Sequence, residues 1–235
     1  MKFKISKKYI DEHTIIQKKT ELELPANTIT YICGCNGYGK STLLQQLKDN
    51  VISLYAEDIT DLYNNPLYRL LKKKNDNTSH IYYLDYNVHS KFGTGENDFF
   101  MSDFYDFTSS NGEGLSRKLI DALRLFKRWL TETKDIQNRK FFFFLDDCDA
   151  GTSIDVIFEI KNLLKLISTE CEDSNVEYYI VLPVNSYEFV RDSDAYCIDA
   201  CNFKIKHFKS YNQYKQFVWK TRTYKDKRSQ SNEVS

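Results

Sequence analysis

No stretch of the chain approaches the roughly 20 consecutive apolar residues that a membrane-spanning helix requires. The opening residues, Met1 to Ile5, lead into polar sequence without the apolar core of a secretory leader. Net charge is missing too: 33 basic residues face 33 acidic ones, so the whole molecule has no strong attraction for a polyanion. There is no internal repeat, and residues 51–110 contain no coiled-coil heptads. Zinc is poorly supported, because Cys197, Cys201 and His207 lack a convincing fourth ligand. These absences lead us to expect a soluble, cytoplasmic chain. The cysteines agree with that, since Cys33 and Cys35 flank a glycine where a disulfide would distort the backbone.

What remains is a chain of 235 residues, long enough for one large domain or a core with a smaller lobe. Its charge balance hides an asymmetry. Residues 203–235 carry nine Lys/Arg against two Asp/Glu, and residues 1–202 carry 24 against 31. Such a basic C-terminal region is suited to nucleic acid, an acidic partner or lipid headgroups, although most are simply solvated. The 17 tyrosines and 16 phenylalanines include Phe203-Lys-Ile-Lys-His-Phe-Lys, whose rings could stack on bases. The alternation reads better as a strand, with Phe203, Ile205 and His207 on one face.

Periodicity organises the rest. Lys2–Tyr9 and Thr20–Leu24 read as two strands of a small antiparallel sheet. Residues 51–110 read as an inserted lobe, with a helical piece at 62–74, a break at Asn75 and a strand at 80–84. Leu119, Leu123, Phe126 and Leu130 recur at helical spacing. Phe141–Leu145 is continuously apolar, as in the buried centre of a parallel sheet. Ile157, Ile160, Leu164 and Ile167 mark another helix, and Tyr178–Leu182 another buried strand. Helices alternating with buried strands predict an α/β fold, with ligands at the carboxyl ends of the strands. Residues 225–235 read as a disordered basic tail on a single domain spanning 1–224.

Gly34 to Ser41 read G-C-N-G-Y-G-K-S, a complete G-x-x-x-x-G-K-S phosphate-binding loop. It stands between the β-favouring run Thr28–Cys33 and an amphipathic segment from Thr42 to Asn50, the context such a loop needs. Gly34, Gly37 and Gly39 allow tight turning, so that amides of the loop (Cys35, Asn36 and Tyr38 included) can face phosphate oxygens. The following helix, from Thr42, adds its positive end. Lys40 supplies a point charge, and the Ser41 hydroxyl is suited to Mg²⁺. Phe141–Leu145 ends in Asp146-Asp147. Asp146 is the candidate magnesium-supporting carboxylate, and Asp147 the candidate that faces an attacking water.

Gly34–Leu44 closely resembles the G-x-N-G-x-G-K-S-T-L-L loop of ATP-binding-cassette ATPases. Leu145-Asp-Asp-Cys-Asp-Ala-Gly-Thr-Ser-Ile-Asp155 resembles that family's L-D-E-P-x-x-G-L-D segment, and Ser109-Ser-Asn-Gly-Glu113 resembles its S-G-G-Q signature. The motifs come in the family's order, and Asn185 falls where its switch histidine would stand. The resemblance implies a P-loop NTPase core with a mostly parallel sheet flanked by helices, an N-terminal antiparallel β-subdomain and a reduced helical lobe. It implies ATP and Mg²⁺ as cofactors, and a head-to-tail dimer, with itself or with a related ATPase, that sandwiches two ATP molecules. Ser110 and Gly112, before the helix at 115–133, would then meet the γ-phosphate held by the partner's loop. Two departures bear on turnover: Asp147 stands for a catalytic glutamate, and Asn185 cannot titrate. A glutamine loop would fall near Leu84–His89, and Tyr9 is a candidate to stack on adenine.

The interval from Lys40 to Ser110 is shorter than is usual for transporter subunits, and that from Ser110 to Asp146 is longer. This is similar to the recombination and repair branch and its stand-alone relatives. The expectation is an ATPase whose dimerisation drives or gates a protein partner, in nucleic-acid maintenance or genome defence. An ATP-binding switch with little turnover, the energising subunit of a transporter and a small-molecule kinase are the alternatives, the last disfavoured by the signature and D-loop.

Overall fold

Five strands run parallel through the middle of the molecule, the phenylalanine-rich Lys140–Asp146 among them. The computed structural model describes residues 1–5, 21–55, 58–61, 68–73, 76–87, 111–149 and 152–232. Its strands are β1 (Lys2–Lys4), β2 (Glu21–Glu23), β3 (Thr28–Cys33), β4 (Asp58–Asp61), β5 (Tyr68–Lys73) and β6 (Asp76–Asn87). They continue with β7 (Lys140–Asp146), β8 (Glu177–Val184), β9 (Tyr196–Asp199) and β10 (Ile205–Lys206). The helices are α1 (Lys40–Tyr55), α2 (Asn111–Glu132), α3 (Ile154–Asp173), α4 (Tyr187–Val190) and α5 (Tyr211–Asn232).

An eight-stranded sheet has the order β10-β9-β3-β8-β7-β6-β5-β4. From β9 to β6 all neighbours pair parallel, and β10, β5 and β4 are antiparallel additions at the two edges. β1 and β2 form a separate antiparallel pair, with Phe3 opposite Leu22. The expected α/β class and the small N-terminal sheet are therefore present.

Strands β3, β7, β8 and β9 are buried on both faces, and the side-chain period of two divides their residues between two cores. Phe141 and Phe143 join Phe126, Ile160 and Leu164 beneath α2 and α3. Phe142 and Phe144 face the other way, with Tyr179, Leu43, Leu47 and the β1–β2 pair. The Phe142 and Tyr179 rings stack at 5.0 Å. Fully burying a Phe contributes about 1.5–3 kcal/mol, so this strand anchors the sheet. At the amino end of β7, buried Arg139 donates to Leu130 O, Thr133 Oγ1 and Ser174 O, tying α2 to the end of α3.

Four expectations need correction. The helical piece at 62–74 is overturned over 68–73, which is β5. It pairs with β6 from Tyr68↔Leu84 to Lys73↔Asp76, and 62–67 lie outside the described residues. Among the described residues of 56–110 there is no helical lobe, only strands that widen the sheet. The Phe203–His207 strand is reduced to Ile205–Lys206: Phe203 is buried in a turn at φ 58°, and Ile205 is exposed. The turn is closed by Phe203 N–H donating to Asp199 O. Finally, residues 225–232 are the last turns of α5, where a disordered tail was expected.

Candidate functional site

β3 delivers the Gly34–Ser41 segment at its carboxyl end, and α1 receives it at Lys40. The geometry explains two of the glycines. A Cβ on Gly34 would lie 2.3 Å from Tyr38 Cδ1, because the Tyr38 ring folds back beneath the turn and is buried. Gly37 sits at φ 70°, in the left-handed region that a side chain disfavours. Gly39 opens α1, whose Leu43 N–H donates to Gly39 O at 2.9 Å. The amides of Lys40, Ser41 and Thr42 thus precede the helical ladder, at the positive end of the helix dipole. Asn36, Gly37 and Ser41 are exposed, whereas Cys35 is buried.

The Lys40 side chain curls into this turn. Its ammonium donates to Gly34 O and Cys35 O, each at 3.1 Å, and to Asn185 Oδ1 at 2.7 Å. Burial lowers its pKa, and the nearby Asp149, Cys35, Cys33 and Asp146 oppose that shift. Asn185 follows directly on β8, so two neighbouring parallel strands bring Lys40 and Asn185 together. Asn185 is held in turn by Asp149, whose carboxylate accepts from Asn185 N–H, Asn185 Nδ2 and Ser186 N–H.

On the other side of the turn, Ser41 Oγ donates to Asp146 Oδ1 at 3.1 Å. Asp146 ends β7 and is buried, and it also accepts from Asp147 N–H at 3.0 Å. Burial and the adjacent Asp147 charge push the Asp146 pKa up; the Ser41 hydrogen bond and Lys48 pull the other way. A carboxylate so penalised gains from a cation, and paired hydroxyl and carboxylate oxygens are hard donors of the kind Mg²⁺ takes. The residues present fit that ion. Asp147 is half-buried at φ 53°, a left-handed conformation that Asp and Asn tolerate better than most residues.

Lys40, Ser41, Asp146 and Asn185, separated by up to 145 residues, therefore share one site with Asp147 beside it. Ser110, Tyr9 and residues 88–89 lie outside the described residues. Gly112, expected just before its helix, is inside the first turn of α2, which starts at Asn111.

Two contributors escaped sequence reasoning. Asp149 was one, since its role is to accept from backbone some 36 residues away. The other is α5, which crosses the carboxyl ends of β8 and β3. Tyr214 OH donates to Asn185 O at 2.7 Å, and Cys35 N–H donates to Thr221 Oγ1 at 3.0 Å. Lys225 Nζ donates to Asn36 O at 3.1 Å, and Tyr224 meets Tyr38 edge-on at 6.4 Å. Tyr214, Phe217, Val218, Thr221, Tyr224 and Lys225 form one helical stripe, a 3.6-residue period visible in the sequence.

Among the described residues no helix is long and apolar enough to cross a membrane. All six cysteines are free thiols. No protein-family model matches the chain, and no curated protein matches it either.

Proposed function

We propose that this chain binds ATP with Mg²⁺ on the Gly34–Thr42 turn and hydrolyses it. The observation that carries the reading is the 3.1 Å hydrogen bond between Ser41 Oγ and Asp146 Oδ1, which joins two sequence motifs 105 residues apart. A glycine-rich turn that merely linked a strand to a helix would need neither a buried lysine nor an acid on the next motif. Lys40 would exchange its carbonyl acceptors for phosphate oxygens, which bind an ammonium more strongly. Ser41 and Asp146 would hold Mg²⁺, whose chemistry is to neutralise charge building up on the phosphates. Asp147 would orient the attacking water, and Asn185 would hydrogen-bond the outer phosphate.

The resemblance to ATP-binding-cassette ATPases extends the proposal to an ATP-dependent dimer, with Ser110 and Gly112 completing the partner's site. Such a dimer would drive or gate a protein partner, and the basic C-terminal region offers a contact for nucleic acid. A slow ATP-binding switch is the second reading. It is favoured by Asn185, which meets Lys40 at 2.7 Å but has no titratable proton to contribute.

Calorimetry with ATP and Mg²⁺ tests the proposal. Wild type should take up one ATP per chain, and Lys40→Ala should abolish uptake or weaken it severely. Equal affinity in both proteins would overturn the assignment of the turn. Phosphate release, alone and with DNA or RNA, then separates a hydrolase from a switch.

A further inference from the structure

We propose that Lys225 is a second phosphate-binding cation of this site, delivered by the C-terminal helix. The inference rests on the phosphate-site reading above and extends it to a residue outside every motif. Lys225 Nζ donates to Asn36 O at 3.1 Å and lies 2.4 Å from where a Gly37 Cβ would stand. The amine therefore covers the exposed crest of the turn, on backbone bearing the glycine that a phosphate-facing turn requires. The contact spans 189 residues of sequence and is not a local accident of one loop.

The helix that carries Lys225 is fixed in place. Thr221, one turn earlier and buried, donates to Val218 O at 2.7 Å and accepts from Cys35 N–H. Tyr214 anchors the far end of the same stripe on Asn185 O. Two contacts, to Cys35 and to Asn185, thus set the helix relative to the turn, so little ordering remains when an anion arrives. The acceptor on the turn, Asn36 O, is a neutral carbonyl. A phosphate oxygen is the stronger acceptor for an ammonium, so a polyphosphate in the turn takes Lys225 from Asn36. A triphosphate carries more charge than Lys40 alone balances, and a second ammonium favours longer phosphate chains over shorter ones.

The experiment measures ATP and ADP affinity by calorimetry, with Mg²⁺ and with EDTA, alongside thermal melts of the ligand-free protein. Lys225→Met keeps the aliphatic stem and removes the charge; Lys225→Arg keeps the charge. Lys225→Met should weaken ATP by about tenfold and ADP by less, with the larger loss in EDTA, and Lys225→Arg should stay within about threefold of wild type. The ligand-free melting temperature should be unchanged. Unaltered ATP affinity in Lys225→Met overturns the inference. So does an equal loss for ATP and ADP accompanied by a lower melt, which would make the contact a structural latch. If Lys225→Met does not fold, Lys225→Gln is read by the same criteria. Absence of nucleotide uptake by wild type would instead remove the phosphate-site reading itself, and the inference with it.

Discussion

Lys40 Nζ donates a 2.7 Å hydrogen bond to Asn185 Oδ1, and this contact fixes which way the asparagine faces. An ammonium can only donate, so the carbonyl oxygen must turn toward it. The amide nitrogen then points the other way and donates to Asp149 Oδ1 at 3.1 Å. Asn185→Asp would place a second carboxylate against Asp149 and tighten the hold on Lys40. ATP affinity should fall about tenfold, the scale of one charge-assisted hydrogen bond. Asn185→Ala should leave affinity within about threefold and reduce turnover. Calorimetry and phosphate release distinguish the two, and identical behaviour of both variants would argue against a role for the amide.

Asp147 occupies a left-handed backbone conformation, so the substitution used to probe it must tolerate φ 53°. Asparagine does, whereas alanine adds a backbone penalty of roughly 1 kcal/mol that would confuse the result. Asp147→Asn should therefore fold as wild type, bind ATP, slow phosphate release and accumulate an ATP-dependent dimer seen by light scattering. Adding Ser110→Arg should dissolve that dimer while monomers still bind ATP. Normal turnover in Asp147→Asn would show that another group positions the water.

Glu177 reports on pH from the amino end of β8, opposite the end that Asn185 follows. Burial raises its pKa, but hydrogen bonds from Lys140 and Tyr179 outweigh that and hold it below the ordinary glutamate value of 4.5. A folded-state pKa below the unfolded one adds stability above the ordinary value, and this is lost as pH falls through the folded pKa. Both side chains are partly exposed, so solvent screening limits the effect to about 0.5 kcal/mol. Glu177→Gln should melt slightly lower than wild type at pH 7, and the gap should close as pH drops below 4.5. A gap that persists in acid would assign the loss to packing.

The parallel sheet was legible because Phe141–Leu145 and Tyr178–Leu182 are too continuously apolar to face water on either side. The glycine-rich turn was legible because its glycines have local backbone reasons. β5 was not, since Leu70 and Leu71 acquire strand geometry only by pairing with Tyr82 and Ile81, a non-local contact. α5 was hidden for a related reason. Its inward stripe holds only Phe217 and Val218 as plainly apolar residues, and the Tyr, Thr and Lys beside them look polar until the turn they cover is folded. Asp149 was hard to single out, because two of the three groups it accepts from are backbone N–H groups that almost any residue would supply.

Thr221 offers the most direct measure of what α5 contributes to the turn. Its hydroxyl donates to Val218 O and accepts from Cys35 N–H, and both Thr221 and Cys35 are buried. Valine has the same shape without the oxygen, so Thr221→Val leaves a buried amide unpaired, at a cost of about 1–3 kcal/mol. Thr221→Ser retains the acceptor and loses one methyl, for a smaller change of about 1 kcal/mol. Chemical denaturation should therefore rank wild type, serine and valine in descending stability. The valine variant should also bind ATP more weakly, because a loosened Cys35 lets the turn wander before the ligand arrives. If valine proves as stable as serine, the Cys35 amide has found another acceptor, and the helix holds the turn through its aromatic stripe alone.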